Sequence, residues 1–108
     1  MSAVRVCSTT DVVEGAAQRF DIGGARVCLV HLAAADGHSG WYAIGDECSH
    51  ADFSLAAGYV WPDECEIECP KHGSTFSLTT GEAQTLPATR PVPVYEVSIE
   101  GDDVMVIV

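Results

Sequence analysis

The sequence predicts an all-β sandwich or barrel, and three observations point there. Short apolar or alternating runs recur along the chain, turn residues such as Gly, Pro and Asp separate them, and no long stretch repeats its apolar residues with helical spacing. At 108 residues the chain has room for one domain with one core, so a single domain over 1–108 is expected.

The elements follow in order. Val4–Val6 reads as a first strand, and Ser8–Val13, with Ser8, Thr9 and Thr10 as candidate caps, has the makings of one helical turn. Arg19–Ile22 and Ala25–Val30 flank Gly23-Gly24, a pair able to take the positive φ angles of a tight hairpin turn. Further strands are expected at Trp41–Ile44, Tyr59–Trp61, Cys65–Glu68 and Thr75–Ser77. Val94–Glu100 and Val104–Val108 should pair as a closing hairpin around Gly101-Asp102. Just before this hairpin, Leu86–Pro93 carries three prolines, which remove donors and exclude helix, so it is loop or extended chain.

Five Lys and Arg against 16 Asp and Glu leave a formal charge of −11, which disfavours nucleic acid and anionic membranes and favours a basic protein surface as partner. The charge is uneven. From Asp46 to Glu68 the chain carries Asp46, Glu47, Asp52, Asp63, Glu64, Glu66 and Glu68 and no Lys or Arg. No apolar run is long enough to span a bilayer, and Met1–Thr10 lacks the basic-then-apolar pattern of a secretion signal, so a cytoplasmic chain is expected. Five cysteines in such a compartment favour metal ligation over a disulfide framework.

Two motifs carry the chemistry. Cys48-Ser49-His50 and Cys69-Pro70-Lys71-His72 stand 18 residues apart, and each offers one thiolate and one imidazole. Two such turns on adjacent hairpins can clasp one metal centre, and the donor atoms alone also suit a Cys₂His₂ structural zinc site. Cys7, Cys28 and Cys65 lie in apolar or strand-like surroundings and read as small packed side chains. His31 and His38 read as packed or solvated histidines, and Trp41, Tyr42, Tyr59 and Trp61 as core aromatics.

The pairing of Cys-x-His with Cys-Pro-x-His-Gly resembles the binding motif of Rieske iron–sulfur proteins. Ser74-Thr75-Phe76, Thr80-Gly81-Glu82 and the closing Pro93–Val97 and Gly101–Val104 extend the likeness to small bacterial Rieske-type ferredoxins, the ferredoxin components of non-haem iron oxygenases, over nearly the whole chain. The resemblance implies a Rieske-like β-sandwich with a small two-loop cluster-binding subdomain at about 46–78. It implies one [2Fe–2S] cluster, with Cys48 and Cys69 on one iron and His50 and His72 on the other. Two ferric ions, two sulfides and two thiolates sum to zero charge, whereas four thiolates would leave the cluster doubly negative, so an electron is added more easily.

High-potential members carry an extra cysteine in each loop, paired as a disulfide, where this chain has residues such as Phe53 and Lys71. Of two hydroxyls that hydrogen-bond cluster sulfurs in those members, Ser74 keeps one and Phe76 replaces the other. The resemblance therefore implies a potential in the lower part of the Rieske range, roughly −150 to +300 mV. It also implies surface-facing histidines whose titration makes the potential fall as pH rises. The resemblance implies an electron carrier and not an enzyme, of the kind that serves as one component of a multicomponent dioxygenase system. A flavin-dependent reductase would supply the electron, and a terminal oxygenase or other redox protein would receive it. Prolines 87, 91 and 93 resemble the loop that shields the cluster in this family. An accessory or redox-sensing protein in iron–sulfur cluster assembly fits the same motifs, and a small subunit of nitrite reductase shares the small Rieske-like fold, although that family often lacks the ligands present here.

Overall fold

A computed structural model describes residues 3–34, 39–49, 53–71 and 73–108. Among the described residues there are nine strands: β1 (Ala3–Ser8), β2 (Ala16–Ile22), β3 (Ala25–His31), β4 (Trp41–Gly45), β5 (Tyr59–Trp61), β6 (Glu66–Glu68), β7 (Thr75–Ser77), β8 (Val94–Glu100) and β9 (Asp103–Ile107). A single turn of 3₁₀ helix, Leu55–Ala57, precedes β5. The architecture is all-β, as expected.

Six strands form one antiparallel sheet in the order β1-β9-β8-β4-β3-β2, whose two end strands come close to each other as the sheet curls. The other three form a small antiparallel sheet, β5-β6-β7, inserted between β4 and β8 in sequence. Gly23 and Gly24 join β2 to β3 at φ 55° and 86°, the paired positive angles that match a tight turn to the twist of its strands.

The alternation of β3 explains how one sheet serves two cores. Val27 and Leu29 project to one side, where they pack with Ala43, Trp41, Val104 and Val106. Cys28 and Val30 project to the other, against Ile44, Leu55, Ile67, Phe76 and Leu78. This second core joins the large sheet to the small one. Phe76, fully buried within it, contributes about 2–3 kcal/mol by area alone.

Two expectations need correction. Residues 9–12 form turns and not a helical turn, because β1 runs on to Ser8, the Asp11 carboxylate accepts the Ser8 N–H at 2.8 Å and Thr9 N–H donates to the Asp102 carbonyl at 2.8 Å. Tyr59 and Trp61 are not core residues. The β5 alternation turns Val60 toward the core and leaves those two 66% and 46% exposed.

Candidate metal centre

The site is built from two loops and a brace. The first loop leaves the end of β4 and doubles back on itself. Leu55 N–H donates to the Asp46 carbonyl at 2.6 Å, Glu47 bridges Ser54, and Cys48 N–H donates to the Phe53 carbonyl at 3.0 Å. Cys48 thus sits on a closed arch and is buried.

At the base of that arch lies a feature that motif reading passed over. Asp46 is 1% exposed, an unusual place for a carboxylate. Its Oδ1 accepts the Ala56 N–H at 2.9 Å, tying the 3₁₀ turn to the end of β4, and its Oδ2 lies 4.0 Å from Arg19 Nε on β2. An acid placed directly after the fully apolar Ala43-Ile44-Gly45 was the available signal.

The second loop follows β6. Cys69 N–H donates to the Ser74 carbonyl at 2.7 Å, and Gly73, at φ 77°, donates back to the Cys69 carbonyl at 3.1 Å. The left-handed angle at Gly73 lets six residues close so tightly. Gly58 supports the loop from beneath: a Cβ there would fall on the Glu68 carbonyl oxygen and reach within 3.1 Å of Pro70 Cδ.

Residues 85–93 brace both loops. Ser49 Oγ donates to the Arg90 carbonyl at 2.6 Å, while Ala88 N–H donates to Ser74 Oγ at 3.0 Å. Thr75 N–H donates to Thr85 Oγ1 at 2.9 Å, and Gly45 N–H to the Pro93 carbonyl at 2.8 Å. The proline-bearing segment, irregular as expected, is therefore fastened to the arch, the tight turn and β4 alike.

Cys48 and Cys69 belong to one buried cluster with Ile44, Leu55, Ile67, Phe76, Ala88 and Val92, and all five cysteines are present as thiols. One buried thiol from each of two adjoining loops is a soft donor pair, suited to iron–sulfur or zinc coordination. His50 and His72, the remaining expected ligands, lie outside the described residues, as does His38. Phe53 and Lys71 face each other across the loops, with Lys71 Nζ 5.0 Å from the Phe53 ring centroid. A cation–π contact links the loops at positions where the sequence excluded a disulfide.

The other candidates fall elsewhere. His31 stacks on Trp41 with centroids 4.0 Å apart, its Nδ1 2.8 Å from the Val12 carbonyl oxygen, so it is a packed side chain. Cys7 and Cys28 are buried hydrophobes, and burial, then the charge of Asp46, pushes the Cys28 thiol far up from its ordinary value. Cys65 is half-buried and holds φ 55°, a left-handed angle rare outside glycine. Burial and then a hydrogen bond with Cys65 push the Tyr42 phenol up to about 12.

Comparison with known proteins bears on the choice of metal. The family model described as the Rieske [2Fe–2S] domain matches residues 2–96. The 3-phenylpropionate/cinnamic acid dioxygenase ferredoxin subunit of Shigella flexneri is 39% identical over 106 residues, spanning 98% of this chain and 93% of that protein. Among solved structures, the ferredoxin of carbazole 1,9a-dioxygenase from Nocardioides aromaticivorans IC177 matches with a TM-score of 0.89 at 33% identity, covering 98% of this chain and 97% of that one. A chain in the complex of reduced oxygenase and oxidized ferredoxin in carbazole 1,9a-dioxygenase matches with a TM-score of 0.83 at 31% identity, covering 96% and 100%.

Proposed function

Because the chain belongs to the Rieske [2Fe–2S] domain family, we propose that it is an electron-carrying ferredoxin whose one cluster is held by Cys48, His50, Cys69 and His72. The observation that carries this reading is the convergence of Cys48 and Cys69, from two separately closed loops, in one buried cluster. Each loop adds its histidine at the spacing of the Rieske motif. Residues at about 46–78 then act as the cluster-binding unit, with 85–93 bracing it.

When bound, the cluster supplies a one-electron relay at a potential of roughly −150 to +300 mV. The chain's own residues hold and shield it. The arch and the tight turn fix the thiols, Asp46 anchors the arch, and the braces at Ser49 and Ser74 limit the motion of both loops. No acid–base or nucleophilic step falls to the protein, which is a carrier and not an enzyme.

Relatives that serve as dioxygenase ferredoxin subunits support a terminal oxygenase as the acceptor. A flavin-dependent reductase is the donor in this reading. The charge of −11 supports basic docking surfaces on both partners, and five thiols suit the reducing cytoplasm. Protein-film voltammetry tests the reading. A reversible one-electron wave in the lower part of the Rieske range is expected, since Phe76 brings no hydroxyl and Phe53 and Lys71 stand where a loop disulfide would be. A wave near the top of that range, or none, contradicts it.

A further inference from the structure

We propose that the outer face of the β5-β6-β7 sheet, carrying Tyr59, Trp61, Glu66 and Glu68, is a docking surface for the arginine- and lysine-bearing face of a redox partner protein. The inference rests on the electron-carrier reading and adds where the partner binds.

The face is defined by register. Tyr59 pairs with Glu68 and Trp61 with Glu66 across β5 and β6, so two aromatic and two acidic side chains share one side of the small sheet. Val60, Ile67 and Phe76 occupy the opposite side, inside the core. Nothing in the packing demands large aromatics on the outside, yet Tyr59 is 66% and Trp61 46% exposed. β5 is also an edge of its sheet.

The face is organised before any partner arrives. Trp61 Nε1 donates to Glu68 Oε1 at 3.0 Å, holding the indole and the carboxylate together. A preset aromatic loses little conformational freedom on binding, and indole is the best face for a guanidinium or ammonium group. Asp63 and Glu64, in the turn that joins the two strands, extend the negative charge. Among the described residues, none of Asp63, Glu64, Glu66 or Glu68 is engaged in an ion pair, whereas Asp21, Asp46, Glu47 and Asp103 are.

Charge selects the occupant. A second copy of this chain would bring like charge to like, and nucleic acid or an anionic bilayer would do the same. A basic protein surface pairs with the carboxylates and lays its cations on Tyr59 and Trp61.

Ferricytochrome c, a lysine-rich one-electron acceptor, is the probe. Its binding to the oxidised, cluster-loaded protein is measured by calorimetry at low ionic strength. In a second assay the dithionite-reduced protein gives up one electron and ferric haem becomes ferrous, followed by stopped flow. Trp61→Ala and the double variant Glu66→Gln/Glu68→Gln should each weaken binding and slow transfer about tenfold at low salt. Trp61→Phe, which keeps an aromatic face, should retain most of the binding. Glu96→Gln/Glu100→Gln removes the same charge from exposed positions on β8 and should leave both readouts near wild type. Equal losses in the two double variants, or undiminished binding by Trp61→Ala, overturn the proposal. Iron and sulfide content, measured separately on each variant, reports on the carrier reading and leaves the binding comparison independent of it.

Discussion

Removing the Asp46 side chain should loosen the arch that holds Cys48, and the structure sets the size of the effect. In Asp46→Ala the Ala56 N–H loses its charged acceptor at 2.9 Å, and nothing of the right length replaces it. A hydrogen bond to a charged group contributes about 1.5–3 kcal/mol, and leaving a buried donor unpaired costs a comparable amount. The 4.0 Å contact with Arg19, whose side chain is 43% exposed, adds under about 1 kcal/mol. The expected loss is about 2–3 kcal/mol. For 108 residues, at about 4 °C per kcal/mol, the melting midpoint should drop by roughly 8–12 °C. Asp46→Asn keeps an oxygen at the Oδ1 position and should lose less than half of that. Circular dichroism of the cluster-loaded variants gives the midpoints, and visible absorption shows whether the cluster is released at lower temperature. A midpoint for Asp46→Ala within about 2 °C of wild type, or equal damage from Asn and Ala, would refute the assigned role.

Gly58→Ala should be among the most damaging single changes, about 3 kcal/mol or more, because the new methyl meets the Glu68 carbonyl and must push β5 from β6; soluble yield and iron content read this out. Ser74→Ala removes the acceptor for the Ala88 N–H, costing about 1–2 kcal/mol by urea unfolding. Because the Ser74 hydroxyl accepts from Ala88, its own proton remains available to a cluster sulfur, and voltammetry should find a lower potential in the same variant. With the Tyr42 phenol raised from 10.0 to about 12, the folded chain holds this proton more tightly than the unfolded chain does. That contribution to stability is complete below pH 10 and is lost as pH rises through about 12, so Tyr42→Phe should flatten this part of a stability–pH curve.

Much of the fold was legible because its strands are short, locally patterned and punctuated. Gly23-Gly24 marks its hairpin by backbone geometry alone, and Tyr59–Trp61, Thr75–Ser77 and Val94–Glu100 occur as strands at the expected residues. The 3₁₀ turn at Leu55–Ala57 gave no such signal. It has no side-chain cap and depends on the Asp46 carboxylate nine residues before Leu55 was reached by the chain, a tertiary contact that local patterning does not encode. The exposure of Tyr59 and Trp61 escaped for a related reason: alternation gives two faces, and only the position of the core decides which one is inside.

The Cys and His motifs were visible at once, since cluster chemistry constrains residue type and spacing together. The contacts that support them were not. Phe53 with Lys71, Ser49 with Arg90 and Ser74 with Ala88 link segments distant in sequence, and each depends on how the two loops and the brace meet.

The most direct test of the central claim is electron paramagnetic resonance of the dithionite-reduced protein, recorded beside Cys48→Ser and Cys69→Ser. The account predicts a rhombic Rieske-type signal in the parent chain and its loss in both variants, because a serine oxygen is a poor substitute for a soft thiolate. A silent parent spectrum with stoichiometric zinc would contradict it.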